Sequence, residues 1–350
     1  MIKKLPIIKP PINTYLSHGY YLSAMMNYKE FLPWFHSNYI HLKCLKELTQ
    51  ELVCDLNFFF PDGLDYLQSV PFIKKQFIFQ DILSYFNYDI VNFIKTVISE
   101  GYYICTFVDE YYIQSKYLYQ KEHNSHRILL YGFDDELNIF NICGWNKNGI
   151  YSINELVSFN DFAAAFQSKY NEDILLSKRG IFCFKLDVSY FESHQYKLDI
   201  EYVYREINDY LASNNVSEKF GMYHNNLDPE KYSFGIGVYN DFNKYLHKLI
   251  DNEANASNIA VHAIWEHTKC MLMRINYLKE MKFISDDGIV NEYKEIEKKT
   301  YLCRNLMLKY RTRKEPNIIR RMLNLIRIIE NEERNLLEKL LYDIKSTNSI

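Results

Sequence analysis

Two histidines three positions apart, His123 and His126, open the stretch of this chain best suited to chemistry. An imidazole changes charge near neutral pH, so either ring could move a proton or ligate a metal. The spacing suits two metal ligands, but no third follows in a recognisable pattern, and no metal is expected. Asp109 ends the apolar run before them, and Asn141 and Cys143 lie on the alternating run after them. Alternate residues of a strand share a face, so Asn141 and Cys143 are expected to point the same way. Thiols are the other candidates. The seven cysteines, Cys44, Cys54, Cys105, Cys143, Cys183, Cys270 and Cys303, form no CxxC pair, which argues against a zinc ribbon or a thioredoxin-type site. Most sit in apolar runs, where a free cysteine packs as a small hydrophobe.

The elements that position these groups follow from periodicity. Residues 12–60 are rich in aromatics and expected to be mostly helical, with Pro33 and Pro61 as punctuation and a turn at Asp62-Gly63 before Pro71. Over 77–99 apolar residues recur at spacings of three and four (Ile78, Ile82, Leu83, Phe86, Ile90, Ile94), which predicts a helix stopped by Gly101. Strand-like runs follow at 102–108, 127–131 and 137–143, the last two joined by a turn at 132–136. A short strand at 149–153, a helix near 161–167 capped by Asn160 and a strand at 180–186 complete the first half. Beyond about residue 190 helical periodicity dominates, over 200–211, 242–250, 259–283, 289–310 and 316–344, with Pro316 suited to a helix start. The expected class is α+β: a helical lobe and small antiparallel sheet over 1–190, then an all-α domain over 191–350.

A length of 350 residues suits two such units, and a net charge of −3 excludes a globally basic nucleic-acid binder. A local basic stretch does exist, since residues 298–327 hold ten Lys or Arg against one acidic residue, Glu315. Its plain reading is the solvated face of two helices. Its functional reading is a docking surface on Arg304, Lys309, Arg311, Arg313, Arg320 and Arg321 for an acidic partner or a phosphate. RNA ranks third, because Tyr310 is the only aromatic interleaved near Arg311 and Arg313. Gly235-Ile236-Gly237 is too weak to read as a nucleotide loop. Pro6, Pro10 and Pro11 break the apolar stretch after Lys3 and Lys4, and no run approaches the roughly 20 residues of a membrane span. The cytoplasm is therefore the expected compartment.

Residues 101–145 resemble the base-bearing hairpin of papain-like enzymes: His126 opens a strand, Gly132-Phe133 follows, and Asn138 to Trp145 answers. More closely, they resemble the N-terminal domain of the butirosin biosynthesis protein H-like family, itself distantly similar to the leader-peptide peptidases of bacteriocin exporters. The helical half is similar to that family in Glu266-His267-Thr268-Lys269, Met271 and Arg274-Ile275-Asn276-Tyr277-Leu278. The resemblance implies a papain-like cysteine-hydrolase-type domain. It also implies transfer of an acyl group from a carrier-protein thioester to an amine, in nonribosomal or other thiotemplated natural-product biosynthesis.

In that resemblance His126 is the base. Cys143 falls at the position that usually bears the orienting Asp or Asn, and Asn141 could take over that role. Family members carry His-Cys at the head of the first long helix, whereas this chain has His18-Gly19. Cys44, Cys54 and Cys143 are then the candidate thiols, with Ser23 a weaker substitute. His18, Tyr20, Asp109, Tyr111 and His123 are expected to line the cleft. No resident cofactor is implied, the substrate riding on the phosphopantetheine arm of an acyl or peptidyl carrier protein. Two other classes stay open: a catalytically degenerate binding protein of such a pathway, and a thioester or peptide hydrolase. The long amphipathic C-terminal helices would also suit a homodimer.

Overall fold

A computed structural model describes residues 1–59, 72–79, 89–171, 180–194, 196–223 and 227–348. In chain order the elements are β1 (Ile2–Lys4), α1 (Leu16–Met25), α2 (Leu32–Ser37), β2 (Leu42–Leu45), β3 (Leu56–Phe58), β4 (Ile73–Phe79), α3 (Ile90–Ser99), β5 (Tyr103–Asp109), β6 (Ser125–Asp134), β7 (Ile139–Trp145), β8 (Tyr151–Ser158), α4 (Phe159–Gln167), β9 (Gly180–Leu186) and α5 (Val188–Ser193). They continue with α6 (Ile200–Ala212), β10 (Tyr232–Phe234), α7 (Val238–Ile250), α8 (Ile259–Glu280), α9 (Asp287–Arg313) and α10 (Pro316–Asn348). The protein is thus mixed α+β, with antiparallel sheets and a helical C-terminal region.

Two compact units emerge, one from Met1–Phe31 with Val70–Gln195 and the other from Leu32–Ser69 with Tyr196–Ile350. The first unit is built on a sheet of order β4-β9-β5-β6-β7-β8, with β1 added beside β6. Central strands bury both faces, which is why Ile104, Ile128, Leu129, Leu130 and Ile142 are sealed from solvent. Helix α1 packs on β6 and β7, and α3 and α4 pack on β5. Asp89 starts α3 by accepting the backbone N–H groups of Val91 and Asn92.

The second unit combines the small sheet β10-β2-β3 with α2 and α6 to α10. Its helices meet at one buried carboxylate. Tyr239 of α7 and Tyr293 of α9 donate their hydroxyls to Glu333 of α10 at 2.7 and 2.6 Å, and His267 Nδ1 of α8 lies 3.8 Å from it. The end of α2 and the segment after it are fastened to α8: His267 Nε2 meets the Ile40 carbonyl at 2.8 Å, and fully buried Arg274 donates to the carbonyls of His36 and Asn38. The two residues most prominent in the C-terminal motif therefore work as internal staples.

Several expectations are corrected. Residues 42–45 and 56–58 are strands, because β2 pairs with both β3 and the distant β10; this draws the segment into the second unit, away from the 1–190 grouping. Residues 77–79 end strand β4, since Phe77 and Ile78 pair with Phe182 and Ile181, a case where a short apolar run fits either period. Ser158, not Asn160, caps α4 by accepting the Asp161 N–H. The turn expected at Asp62-Gly63, with Pro61, Pro71, Ile82, Leu83 and Phe86, lies outside the described residues.

Candidate functional site

The site forms where β5 ends and β6 begins, with two adjacent carboxylates each holding one histidine. Asp109, wholly buried, closes β5. Its Oδ1 accepts the N–H groups of Tyr111 and Asn124, each at 3.1 Å. Its Oδ2 accepts His123 Nδ1 at 2.7 Å and Ser168 Oγ at 2.6 Å. Burial alone would raise the Asp109 carboxyl, but the Ser168 and His123 hydrogen bonds hold it below the usual carboxylate range. The His123 ring is stacked between Tyr111 at 4.3 Å and Tyr170 at 3.9 Å. This first pair is a clamp that fixes the start of the loop between the strands.

The second pair is more open. Glu110 begins a tight 3₁₀ turn, and its Oε1 accepts His126 Nδ1 at 2.8 Å. Burial would raise the Glu110 carboxyl, yet the His126 hydrogen bond, the His126 charge and the Lys116 charge together leave it lowered. The side chain of Glu110 is 10% exposed and that of His126 is 39% exposed. Donation from Nδ1 to a fixed carboxylate selects the tautomer whose Nε2 can accept a proton. Lys116 stands behind, almost fully buried, with Nζ 4.0 Å from Glu110 Oε1 and donating to the Trp145 carbonyl at 2.9 Å.

The other expected residues do not join this pair. Asn141 pairs with Gly132, six residues along β6 from His126, about 20 Å at the rise of a strand, and so cannot orient that ring. Glu110 does so instead. Cys143 pairs with Leu129. Because 129 and 126 differ by an odd number, Cys143 and His126 leave the sheet on opposite faces. The Cys143 thiol is sealed against Tyr151 Oη at 3.5 Å, and burial pushes it up to about 12 despite that hydrogen bond and the Lys116 charge. Tyr151 Oη in turn lies 2.9 Å from Ser23 Oγ, which donates to the Gly19 carbonyl at 2.7 Å. A Cβ at Gly19 would touch the Tyr151 ring at 3.3 Å, so position 19 belongs to this buried Tyr151 cluster.

Tyr20 gives its hydroxyl to the Arg127 carbonyl, and His18 is buried with its ring pushed down to about 3 by desolvation. Cys44 and Cys54 belong to the other compact unit, where their sulfurs lie 3.6 Å apart; the Cys54 hydrogen bond and burial raise the Cys44 thiol well above its ordinary value. On the basic surface Arg304 is half-buried, its guanidinium over Trp265 and Tyr301 at 5.5 and 5.8 Å, while Lys309, Arg311, Arg313, Arg320 and Arg321 are exposed.

Sequence reading missed Glu110 and Lys116. The available signal was the acidic pair Asp109-Glu110 at a strand end facing two histidines across one loop. Among the described residues no group of three or more His, Cys, Asp or Glu side chains is arranged to hold a metal ion. No described helix is long and apolar enough to cross a membrane. No protein-family model matches the chain, and no curated protein matches it.

Proposed function

We propose that the His126–Glu110 pair is a proton-transfer site that promotes direct attack of an amine on a carrier-bound thioester, without an acyl-enzyme. The carrying observation is the 2.8 Å contact between Glu110 and a partly exposed imidazole. A thioester is already activated, so the step that needs help is removal of a proton from the incoming amine. The amine nitrogen bonds to the acyl carbon, the C–S bond breaks, and the carrier leaves as thiol. His126 Nε2 takes the amine proton and returns it to the departing sulfur. The charge of Glu110 stabilises the imidazolium that forms between those events.

The family resemblance supports the choice of substrate, and the exposed cations Lys309, Arg311, Arg313, Arg320 and Arg321 suit an acidic carrier. The burial of Cys143 weighs against its use as a nucleophile. The same burial, with Gly19 in the family's cysteine position, favours a second reading in which the chain only binds its carrier. Incubation with acyl-carrier thioesters, with and without amine, separates the two. Proton-transfer catalysis gives amine-dependent consumption that His126→Ala removes. A binding protein gives complex formation without consumption.

A further inference from the structure

Burying an ammonium is costly unless charge and hydrogen bonds compensate it, so the placement of Lys116 needs a reason. A neutral donor could satisfy the Trp145 carbonyl equally well. What a cation adds is its charge, 4.0 Å from Glu110 Oε1.

The neighbouring strand is shaped around that cation. The β7–β8 register shifts between Ile142 and Gly144, and Gly144 takes a φ of +144°, a conformation side chains rarely adopt. A Cβ there would come within 2.6 Å of Tyr20 Oη and 3.2 Å of Lys116 Nζ. The bulge and the missing side chain therefore leave room for the ammonium beside Glu110.

We propose that Lys116 is a positioning residue: it holds Glu110 as the carboxylate that orients His126. This rests on the proton-transfer reading of the pair. The charged and titratable groups around Glu110 are His126 on β6, Lys116 in the loop and Tyr20 on α1, with Asn124 donating to Oε2 at 3.3 Å. Of these, Lys116 is the cation that stays charged when His126 is neutral. Without it, only the His126 and Asn124 contacts would oppose the burial of the carboxylate, which would drift toward its protonated form. Protonated Glu110 would no longer stabilise an imidazolium. Burial lowers the Lys116 ammonium itself, and Glu110 is the first group that opposes this.

The test is a carbon-detected NMR titration of the Glu110 carboxyl in the full chain, for wild type, Lys116→Gln and Lys116→Arg. Glutamine can still donate to the Trp145 carbonyl but carries no charge. The expected result is a Glu110 midpoint higher by about one pH unit in Lys116→Gln, and near wild type in Lys116→Arg. A folded Lys116→Gln with an unmoved Glu110 titration would overturn the proposal and leave Lys116 as a cap on Trp145. Should Lys116→Gln fail to fold by circular dichroism, Lys116→Met serves instead: it keeps the buried stem and removes the charge. A raised Glu110 midpoint there supports the role, and an unchanged one overturns it. The titration uses no substrate, so it can fail while His126-dependent turnover stands, or succeed while turnover is absent.

Discussion

His126 Nδ1 lies 2.8 Å from Glu110 Oε1, whereas the register of β6 and β7 sends Cys143 to the other face of the sheet. The proposed base and its orienting acid thus come from one strand junction, independent of any thiol. Glu110→Gln keeps a hydrogen-bond acceptor but removes the charge that favours the imidazolium. It is expected to lower kcat/KM for amine-dependent thioester consumption about 100-fold or more, with His126→Ala at least as severe. Activity within twofold of wild type in a folded Glu110→Gln protein would exclude the pair.

Cys143→Ala gives the complementary outcome. Turnover is expected to stay within about twofold, while urea denaturation shows a loss of about 1–2 kcal/mol from the small cavity. Loss of activity with retained stability would restore the thiol as the reacting group.

Three buried histidines set the acid response. Burial pushes His18, His36 and His267 each down to about 3 from an ordinary 6.5. Between those values the unfolded chain binds protons that the folded chain refuses. Their stabilisation is therefore complete above about pH 6.5 and is lost as the pH falls toward 3. Each contributes a slope of up to about 1.4 kcal/mol per pH unit, so urea midpoints should fall steeply from pH 6.5 to 4. His267→Gln, in a protein that still folds, should flatten that slope; midpoints constant across the window would contradict the burial of these rings in neutral form.

Glu333 ties α7, α9 and α10 together through Tyr239 and Tyr293. Glu333→Leu leaves two buried hydroxyls without their acceptor, at about 1–3 kcal/mol each. Denaturant unfolding should show a loss of about 2–5 kcal/mol, with a smaller loss in Glu333→Gln. A neutral or stabilising Glu333→Leu would mean that apolar packing outweighs the polar contact.

Local pattern carried much of the architecture. The periodicity of 316–344 appears as α10 because its signal is contained within one element, and the runs at 127–131 and 137–143 meet as the β6–β7 hairpin, although its turn falls at 135–138 and residues 132–134, expected in the turn, extend β6. Strands β2 and β3 were not legible, since each is short and β2 takes its second partner, β10, from far along the chain. The site was half legible. His126 stood out by type and position, but its partner was sought across the β6–β7 pair. Glu110 was passed over, although it adjoins Asp109 in the sequence, because a 3₁₀ turn, not a strand, aims it. The fastening of Arg274 and His267 to the end of α2 and the segment after it was hidden, being a contact between residues far apart in sequence.

The most direct measurement is intact-protein mass spectrometry during incubation with acyl-carrier thioesters, coupled to product analysis with and without amine. The account predicts amide formed only when amine is present, no acyl adduct on any cysteine, and loss of product in His126→Ala. A His126-dependent acyl adduct on a cysteine, or amide formation undiminished in His126→Ala, would contradict it.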